Sequence, residues 1–340
     1  MNFLGGTIRK KAYFAAGSFP GMEFCVRPWR GVGGILCYHR VLPRESVIND
    51  MSPNRFLAVS EESFDHQMRH LVKNYDVISM DEMVARYEKG PPRFGVVVTF
   101  DDGYKDNLRW AYPILKAHRI PALIYITTRF LEGDTRLWWF TLWRHILEIN
   151  HVRLVVDKKE LHWNVGMLQE KRECFEEIRR LLLKNDKKGQ EAILSQVVGD
   201  RQSTQYPDLC LSPKEIQMMD REGLVAIGSH CHSHDSLASL SENDVFYEIS
   251  RSKGILEALL EKPVRHLAYP YGNRGDASRR EAIVAERSGF KTGVTTVTGL
   301  VNRKKDPYLW PRLLFHEGTD SKMMDVLLSG FSELTGKAPR

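Results

Sequence analysis

Two adjacent carboxylates at the end of a predicted strand are the most chemically distinctive feature of this sequence. Asp101 and Asp102 follow the apolar residues 96–100 and precede Gly103. Neighbouring carboxylates repel each other unless a cation or a proton neutralises them. Because consecutive side chains of an extended chain diverge, one carboxylate can bind a metal ion while the other faces a substrate. The alternative is a solvated turn, since Asp and Gly are common turn residues.

A cluster of histidines follows another predicted strand. His230, His232 and His234 come directly after the apolar residues 225–228. The i, i+4 spacing places His230 and His234 on one side of a helical turn, as in other zinc motifs. We predict that these two imidazoles and one carboxylate of the Asp pair bind a metal ion and leave coordination positions open. His232 is predicted to point away from the ion, and Cys231 to be a small buried residue.

A third turn follows a further apolar run. Residues 267–269 lead into Pro270, Tyr271 and Gly272. Proline and glycine on either side restrict the backbone at Tyr271, and a fixed backbone N–H is what an oxyanion hole requires. An ordinary turn explains this segment equally well when it is considered alone.

Short apolar runs predict the strands that position these turns. Their residues are apolar on both faces, which is typical of buried parallel strands. The predicted strands are residues 34–38, 96–100, 122–126, 225–228, 267–269 and 292–296. Helical spacing of apolar residues lies between them, for example at Phe64, Met68 and Leu71. This alternation predicts an α/β fold that is a barrel or a distorted barrel.

Residues 135–210 interrupt the alternation. They begin with an aromatic cluster that contains Trp138, Trp139 and Trp143. Alternating apolar residues on both sides of residues 157–160 predict a β-hairpin, and a helix with one apolar face follows. We interpret the stretch as a mostly helical subdomain at the mouth of the barrel that shapes substrate choice.

The remaining domain boundaries follow from this interpretation. Residues 34–134 and 211–320 form the barrel, and residues 321–340 form a C-terminal helix and tail. Residues 1–33 form a basic helical segment whose apolar run, residues 12–16, is too short for a signal peptide. Peripheral membrane contact through this segment is the alternative interpretation.

Composition narrows the class of protein. The chain has 340 residues, of which 42% are hydrophobic and 27% are charged, so it can bury a large core and is not a disordered chain. Its net charge of +6 permits an anionic partner without requiring one. The basic residues form no stripe interleaved with aromatic residues, which argues against nucleic acid. Five cysteines without C-x-x-C spacing argue against a disulfide scaffold and predict a cytoplasmic location.

Taken together, the three motifs resemble those of the polysaccharide deacetylases, the NodB-like de-N-acetylases. The first family motif reads T-F-D-D-G, as residues 99–103 do, and the second reads H-[ST]-x-x-H, whose two histidines correspond to His230 and His234. The third motif ends in P-Y-G, as residues 270–272 do. The resemblance covers most of residues 34–315 outside the insertion. It implies an irregular (β/α) barrel with fewer than eight strands.

The resemblance also implies a role for each motif residue. Asp101 is the general base, and the backbone N–H of Tyr271 contacts the tetrahedral oxyanion. The implied metal ligands are Asp102, His230 and His234.

The sequence departs from the family pattern in three places. Many members have an arginine directly before the P-Y-G element, where it orients the catalytic aspartate; this chain lacks it, and we predict that Arg312 replaces it. The late Leu-x-His motif, which supplies the general acid, matches loosely at His316, with a surface histidine as the alternative. His39 is a weaker candidate for the acid. Cys231 replaces the usual Ser or Thr.

The predicted function is metal-dependent removal of N-acetyl groups from amino sugars of a polysaccharide or glycan precursor, with release of acetate. We expect Zn²⁺, with Co²⁺ or Ni²⁺ as alternatives, because a mixed oxygen and nitrogen site accepts all three. The expected substrate is an N-acetylated glycan or a lipid-linked sugar. Trp138, Trp139 and Trp143 either stack on its sugar rings or form core. The alternative functions are an O-deacetylase or another metal hydrolase on the same site, and a glycan-binding protein without activity.

Overall fold

The structure, a computed structural model, describes residues 30–51, 53–89, 93–331 and 333. The predicted basic segment, residues 1–33, therefore lies outside the described residues except for its last four, and so does most of the predicted C-terminal tail. The cysteines of the described part, Cys37, Cys174, Cys210 and Cys231, are all buried and free, as expected of a chain without a disulfide scaffold. Among the described helices, none combines the length and the apolar character needed to cross a membrane.

Strands and helices alternate along most of the chain. The strands are β1 (Gly33–Tyr38), β2 (Arg40–Leu42), β3 (Ala58–Ser60), β4 (Asp76–Val77), β5 (Gly95–Phe100), β6 (Ala122–Ile126), β7 (His151–Val156), β8 (Lys159–Asn164), β9 (Val225–Ser229), β10 (His266–Ala268), β11 (Thr292–Thr298) and β12 (Trp310–Leu314). The helices are α1 (Arg44–Asn49), α2 (Glu61–Asn74), α3 (Met80–Lys89), α4 (Tyr112–His118), α5 (Trp138–Glu148), α6 (Leu168–Lys184), α7 (Lys187–Val198), α8 (Pro213–Arg221), α9 (Glu242–Leu260), α10 (Arg279–Arg287) and α11 (Ser321–Leu328). Shorter 3₁₀ turns, including Pro53–Leu57 and Thr128–Glu132, and one π-helical turn, Asn107–Ala111, complete the connections.

Seven parallel strands close into a barrel in the order β1-β12-β11-β10-β9-β6-β5. The barrel closes because β1 pairs with β12 on one side and with β5 on the other. The short β4 extends the sheet at the first two residues of β5. The predicted barrel with fewer than eight strands is therefore confirmed.

Six of the barrel strands coincide with predicted apolar runs. The seventh, β12, was not predicted, because Pro311 and Arg312 interrupt its apolar pattern. Proline cannot donate a hydrogen bond to a neighbouring strand, so it lowers the expectation of a strand. In the structure Arg312 points into the barrel, where a carboxylate neutralises it.

Alternate residues of each barrel strand face two different cores. In β5, Val98 and Phe100 belong to the outer core, which includes Phe64 and Met68 of α2. Val97 belongs to the inner core together with residues of other barrel strands, which include Ile35, Leu123 and Trp310. Since successive side chains alternate, Asp101, four residues after Val97, is directed to the inside of the barrel. The strand thus determines which carboxylate of the Asp pair enters the barrel.

Residues 135–210 contain α5, the hairpin β7–β8, α6 and α7, which share a core of their own. The hairpin lies where the alternating pattern predicts it. Its two turn residues, Asp157 and Lys158, have φ values of 51° and 63°, as the tightest hairpin turns require. The predicted apolar face of α6 is buried in this core through Phe175 and Ile178.

Candidate metal centre and active site

The predicted site residues meet at the carboxyl ends of the barrel strands, where barrels of this kind carry their active sites. Asp101 and Asp102 follow β5, His230 follows β9, Tyr271 lies shortly after β10, and Arg312 is part of β12. These residues line one cavity of about 870 Å³. The same cavity is also lined by His39, His234 and His316. The structure thus brings together residues that lie up to 277 positions apart in the sequence, from His39 to His316.

The three predicted metal ligands converge on one point. Asp102 Oδ1 lies 3.3 Å from His230 Nε2 and 3.1 Å from His234 Nε2. A tetrahedral ion with ligand bonds of about 2.1 Å separates its ligand atoms by roughly 3.4 Å. The spacing of these three atoms therefore fits a single divalent cation.

Hydrogen bonding of His230 supports the same conclusion. Its Nδ1 lies 2.8 Å from the carbonyl oxygen of Ala268, which can only accept a hydrogen bond. In the neutral ring the proton is therefore on Nδ1, and Nε2 directs a lone pair at the Asp102 carboxylate. A lone pair and a carboxylate oxygen at 3.3 Å repel each other unless a cation or a proton lies between them. The donor set of this site thus suits a cation.

Left-handed backbone geometry recurs around this point. Asp102, Cys231, His234 and Tyr271 have φ values of 71°, 61°, 61° and 60°. Residues other than glycine rarely adopt this region, and such strain is concentrated at functional sites. All four residues lie in turns that follow barrel strands. The strained turns therefore determine the direction in which the ligand side chains point.

A buried ion pair holds the other carboxylate. Arg312 Nη1 and Nη2 donate to Asp101 Oδ1 and Oδ2 at 2.7 and 2.6 Å. Arg312 also donates to the carbonyl oxygen of Thr295 at 2.9 Å. Burial alone would raise the pKa of Asp101, but the charge and the hydrogen bonds of Arg312 oppose it, and that pKa is lowered to about 2. The arginine predicted to replace the missing family residue thus makes the contact that such a replacement requires.

The two candidate acids lie in different surroundings. His39 Nε2 is 3.9 Å from Asp101 Oδ2, and its buried Nδ1 has no hydrogen-bond partner among the described residues. His316 lies at the cavity wall, where its Nδ1 accepts a hydrogen bond from the N–H of Gly318 at 3.0 Å. Its backbone N–H donates to Thr319 Oγ1. The candidate that sequence reasoning ranked lower, His39, is therefore the one in contact with Asp101.

The insertion reaches the ligand residues through α5. The ring of Trp139 lies 5.1 Å, centroid to centroid, from that of His234. Its Nε1–H donates to the hydroxyl of Tyr104 at 3.1 Å. Trp138 also lines the cavity and packs against Phe175 of α6. Tyr104 was missed from the sequence, because a tyrosine directly after the Asp-Asp-Gly turn carries no signal of its own.

His232 and Cys231 lie where the sequence predicted. His232 Nδ1 lies 3.1 Å from Thr128 Oγ1, and its Nε2 lies 3.5 Å from Glu132 Oε2. Cys231 is fully buried and belongs to the outer core. Neither side chain belongs to the cluster of ligand atoms around Asp102.

The ion pair generates a stability prediction. Arg312→Met leaves Asp101 as a buried charge without a partner, so the free energy of unfolding should fall by about 3–5 kcal/mol. Adding Asp101→Asn should recover most of that loss, because removing both charges avoids the uncompensated one. Urea unfolding of the wild type, both single variants and the double variant measures this. A double variant as unstable as Arg312→Met would show that the arginine acts through packing alone.

Comparison with known proteins places the chain in a family. A sequence model described as polysaccharide deacetylase matches residues 88–291. A poly-β-1,6-N-acetyl-D-glucosamine N-deacetylase of Staphylococcus aureus is 22% identical over 271 residues, which cover 76% of this chain and 68% of the relative. Among solved structures, the deacetylase PplD of Streptococcus pyogenes has a TM-score of 0.58 at 19% identity, covering 86% of this chain and 95% of that one. IcaB from Ammonifex degensii has a TM-score of 0.56 at 20% identity, covering 88% and 97%. These solved structures share the barrel fold. Because the family model matches more than half of this chain, the chain belongs to the polysaccharide deacetylase family of carbohydrate-modifying hydrolases.

Proposed function

We propose that the protein removes N-acetyl groups from amino sugars of a glycan by metal-dependent hydrolysis, which yields a free amine and acetate. The observation that carries this proposal is the convergence of Asp102, His230 and His234 on one point next to the buried Asp101. Three protein ligands and a separate carboxylate are the groups that hydrolytic metal sites require. The presence of this complete set argues against the alternative of a binding protein without activity.

The donor set of one carboxylate oxygen and two imidazole nitrogens supports Zn²⁺, with Co²⁺ and Ni²⁺ as alternatives. Asp102, His230 and His234 would hold the ion. When bound, the ion supplies Lewis acidity, which lowers the pKa of a water molecule and polarises the acetamide carbonyl.

Asp101 acts as the general base in this proposal. Arg312 donates to both carboxylate oxygens, which fixes their orientation and keeps the group ionised. A pKa of about 2 keeps Asp101 ionised at neutral pH, so its carboxylate is available as a proton acceptor. In this role it takes the proton of the attacking water as the new C–O bond forms and releases it again within the same turnover.

Tyr271 donates its backbone N–H to the oxyanion of the tetrahedral intermediate. The peptide groups that follow it are tied to β11, since Thr296 Oγ1 donates to the Tyr271 carbonyl at 2.7 Å and the Thr296 N–H donates to the Gly272 carbonyl at 2.8 Å. A donor held in this way needs no reorganisation when negative charge develops on the substrate oxygen.

We assign the general acid to His39, with His316 as the alternative. The leaving nitrogen must receive a proton as the C–N bond breaks. His39 lies next to Asp101, which has taken a proton from water, so the two residues are placed to share that proton. His316 contacts its own loop through Gly318.

The substrate we propose is a glycan that contains N-acetylated amino sugars, with a lipid-linked sugar as the alternative. The Staphylococcus aureus relative is named for its action on poly-β-1,6-N-acetyl-D-glucosamine. The cavity of about 870 Å³ lies near the upper end of the range of roughly 300–1,000 Å³ for small-molecule sites. Trp138 of the insertion offers an aromatic surface on which the apolar face of a sugar ring can pack.

Acetate release tests the proposed function. We expect the wild-type protein to bind one Zn²⁺ per chain and to release acetate from N-acetylglucosamine oligomers, with the activity lost after chelation and restored by Zn²⁺, Co²⁺ or Ni²⁺. Asp101→Asn should keep the metal and lower kcat by roughly 10²–10⁴-fold. Acetate release from O-acetylated sugars alone would identify an O-deacetylase instead. Loss of metal from Asp101→Asn would make that residue a ligand.

Variants of the two histidines separate the candidate acids. If His39 donates the proton, His39→Gln should lower kcat on an acetamide by roughly 10²–10⁴-fold. The loss should be much smaller on a substrate whose leaving group needs no proton, such as an activated aryl ester. His316→Gln serves as the matched control and should stay within about threefold of the wild type on both substrates. The opposite pattern would assign the acid to His316.

Substitution of Trp138 tests the role of the insertion. Trp138→Leu should raise KM for an N-acetylglucosamine oligomer about tenfold, equivalent to about 1.4 kcal/mol, and leave kinetics on a small acetamide unchanged. Trp163→Leu is a matched control, because Trp163 belongs to the hairpin of the same insertion and bonds to Glu177 outside the cavity. Equal effects of both substitutions would mean that the insertion contributes stability and no sugar contact.

A further inference from the structure

The loop that carries two of the three ligand residues departs from the family motif at one position. The family motif has Ser or Thr between the histidines, where this chain has Cys231. The thiol of Cys231 is buried in the outer core, and its backbone φ is 61°. His234 at the end of the loop has the same strained φ. Other contacts must therefore hold residues 230–234 in this conformation.

A buried carboxylate of α9 binds the backbone of this loop. Glu248 Oε2 accepts hydrogen bonds from the N–H groups of His232 at 3.1 Å and Ser233 at 2.7 Å. Glu248 is only 5% exposed. Hydrogen bonds to an ionised acceptor are stronger than those between neutral groups, and successive backbone N–H groups form a concave site for an anion. One carboxylate oxygen thus satisfies two donors in the middle of the strained segment.

A second residue of α9 holds the beginning of the loop. Ser252, one helical turn after Glu248, lies 2.8 Å from Ser229, Oγ to Oγ. The hydroxyl of Ser229 in turn accepts a hydrogen bond from the N–H of Cys231 at 3.2 Å. Contacts from one face of α9 therefore reach the loop at both of its halves.

The 3₁₀ turn Thr128–Glu132 holds the opposite side of the loop. The N–H of Arg129 donates to the carbonyl oxygen of His232 at 2.9 Å. The ring of His232 lies against Thr128 and receives a further contact from Arg251 of α9 at 3.3 Å. His232, the middle residue of the loop, is thus held by contacts from the 3₁₀ turn and from α9, while His230 and His234 face Asp102.

We propose that Glu248 is a positioning residue of the metal centre. Its carboxylate holds the N–H groups of His232 and Ser233, which lie between the left-handed residues Cys231 and His234, and so keeps the loop in the conformation that directs His234 at Asp102. Without it, the buried N–H of His232 and the partly buried N–H of Ser233 lose their acceptor, and the loop can relax away from the ligand geometry. The inference rests on the proposed role of Asp102, His230 and His234 as metal ligands.

Metal affinity and hydrogen exchange test this role without measuring activity. Glu248→Ala should weaken Zn²⁺ binding by about 10–100-fold, as loss of groups that orient ligands commonly does. Glu248→Gln should stay within about threefold of the wild type, because the amide oxygen can still accept both hydrogen bonds. Competition with a chelator gives the dissociation constants. In the metal-free protein, residues 230–234 should exchange amide hydrogens faster in Glu248→Ala than in the wild type or Glu248→Gln.

Glu257→Ala provides the matched control on the same helix. Its carboxylate accepts a hydrogen bond from the N–H of Val264 at 2.9 Å and pairs with Lys253, but it does not contact the loop. We expect it to leave Zn²⁺ affinity and loop exchange unchanged. Equal losses in Glu257→Ala and Glu248→Ala, or unchanged affinity and exchange in Glu248→Ala, would overturn the proposal. If the wild type bound no metal, the proposed function would fail, while the exchange data would still decide whether Glu248 holds the loop.

Discussion

The buried ion pair between Asp101 and Arg312 is the interaction on which the rest of the site depends. Transfer of either charge alone from water into the barrel would cost several kcal/mol, so neither residue is tolerable there without the other. The bidentate geometry, with both contacts at 2.6–2.7 Å, limits that cost and leaves little freedom of orientation. Stability and chemistry are coupled here, because the arginine that makes the buried carboxylate tolerable also lowers its pKa.

Strand geometry then separates the roles of the two adjacent carboxylates. Asp101 continues the inward alternation of β5 and meets Arg312, whereas Asp102 lies in the left-handed turn that follows and meets His230 and His234. A one-residue change of register would exchange the two environments. The close β1–β5 and β5–β6 pairing that fixes this register is therefore as important to the site as its polar residues. The insertion adds to this arrangement from outside, through the ring of Trp139 on His234.

Much of the fold was predictable because buried parallel strands leave continuous apolar runs in the sequence. The exception, β12, shows the limit of that signal, since the charge of Arg312 hides a strand that is recognisable only when its partner is known. The ligand residues could be grouped because their motifs are local. Arg312 could be proposed because the arginine that many family members have before the P-Y-G element is missing from this chain. Glu248 could not be found in this way, because a glutamate in a helix that binds backbone N–H groups has no pattern in sequence. Its role depends on how α9 packs on the loop, which is tertiary information.

Closure of the barrel has a consequence for how this protein gains its site during folding. β1 pairs with both β5 and β12, so strands from opposite ends of the described chain are neighbours. Contacts between residues this far apart close a long loop and form slowly. Asp101 directly follows β5 and Arg312 lies in β12, and both of these strands pair with β1, so the ion pair can form only when β1 has paired with both. In a partly folded chain whose β1 has not paired with both neighbours, the charges of Arg312 and Asp101 would lie unpaired in an incomplete core. This opposes stable intermediates that resemble the native barrel. Catalytic competence and the last cooperative step of folding should therefore coincide.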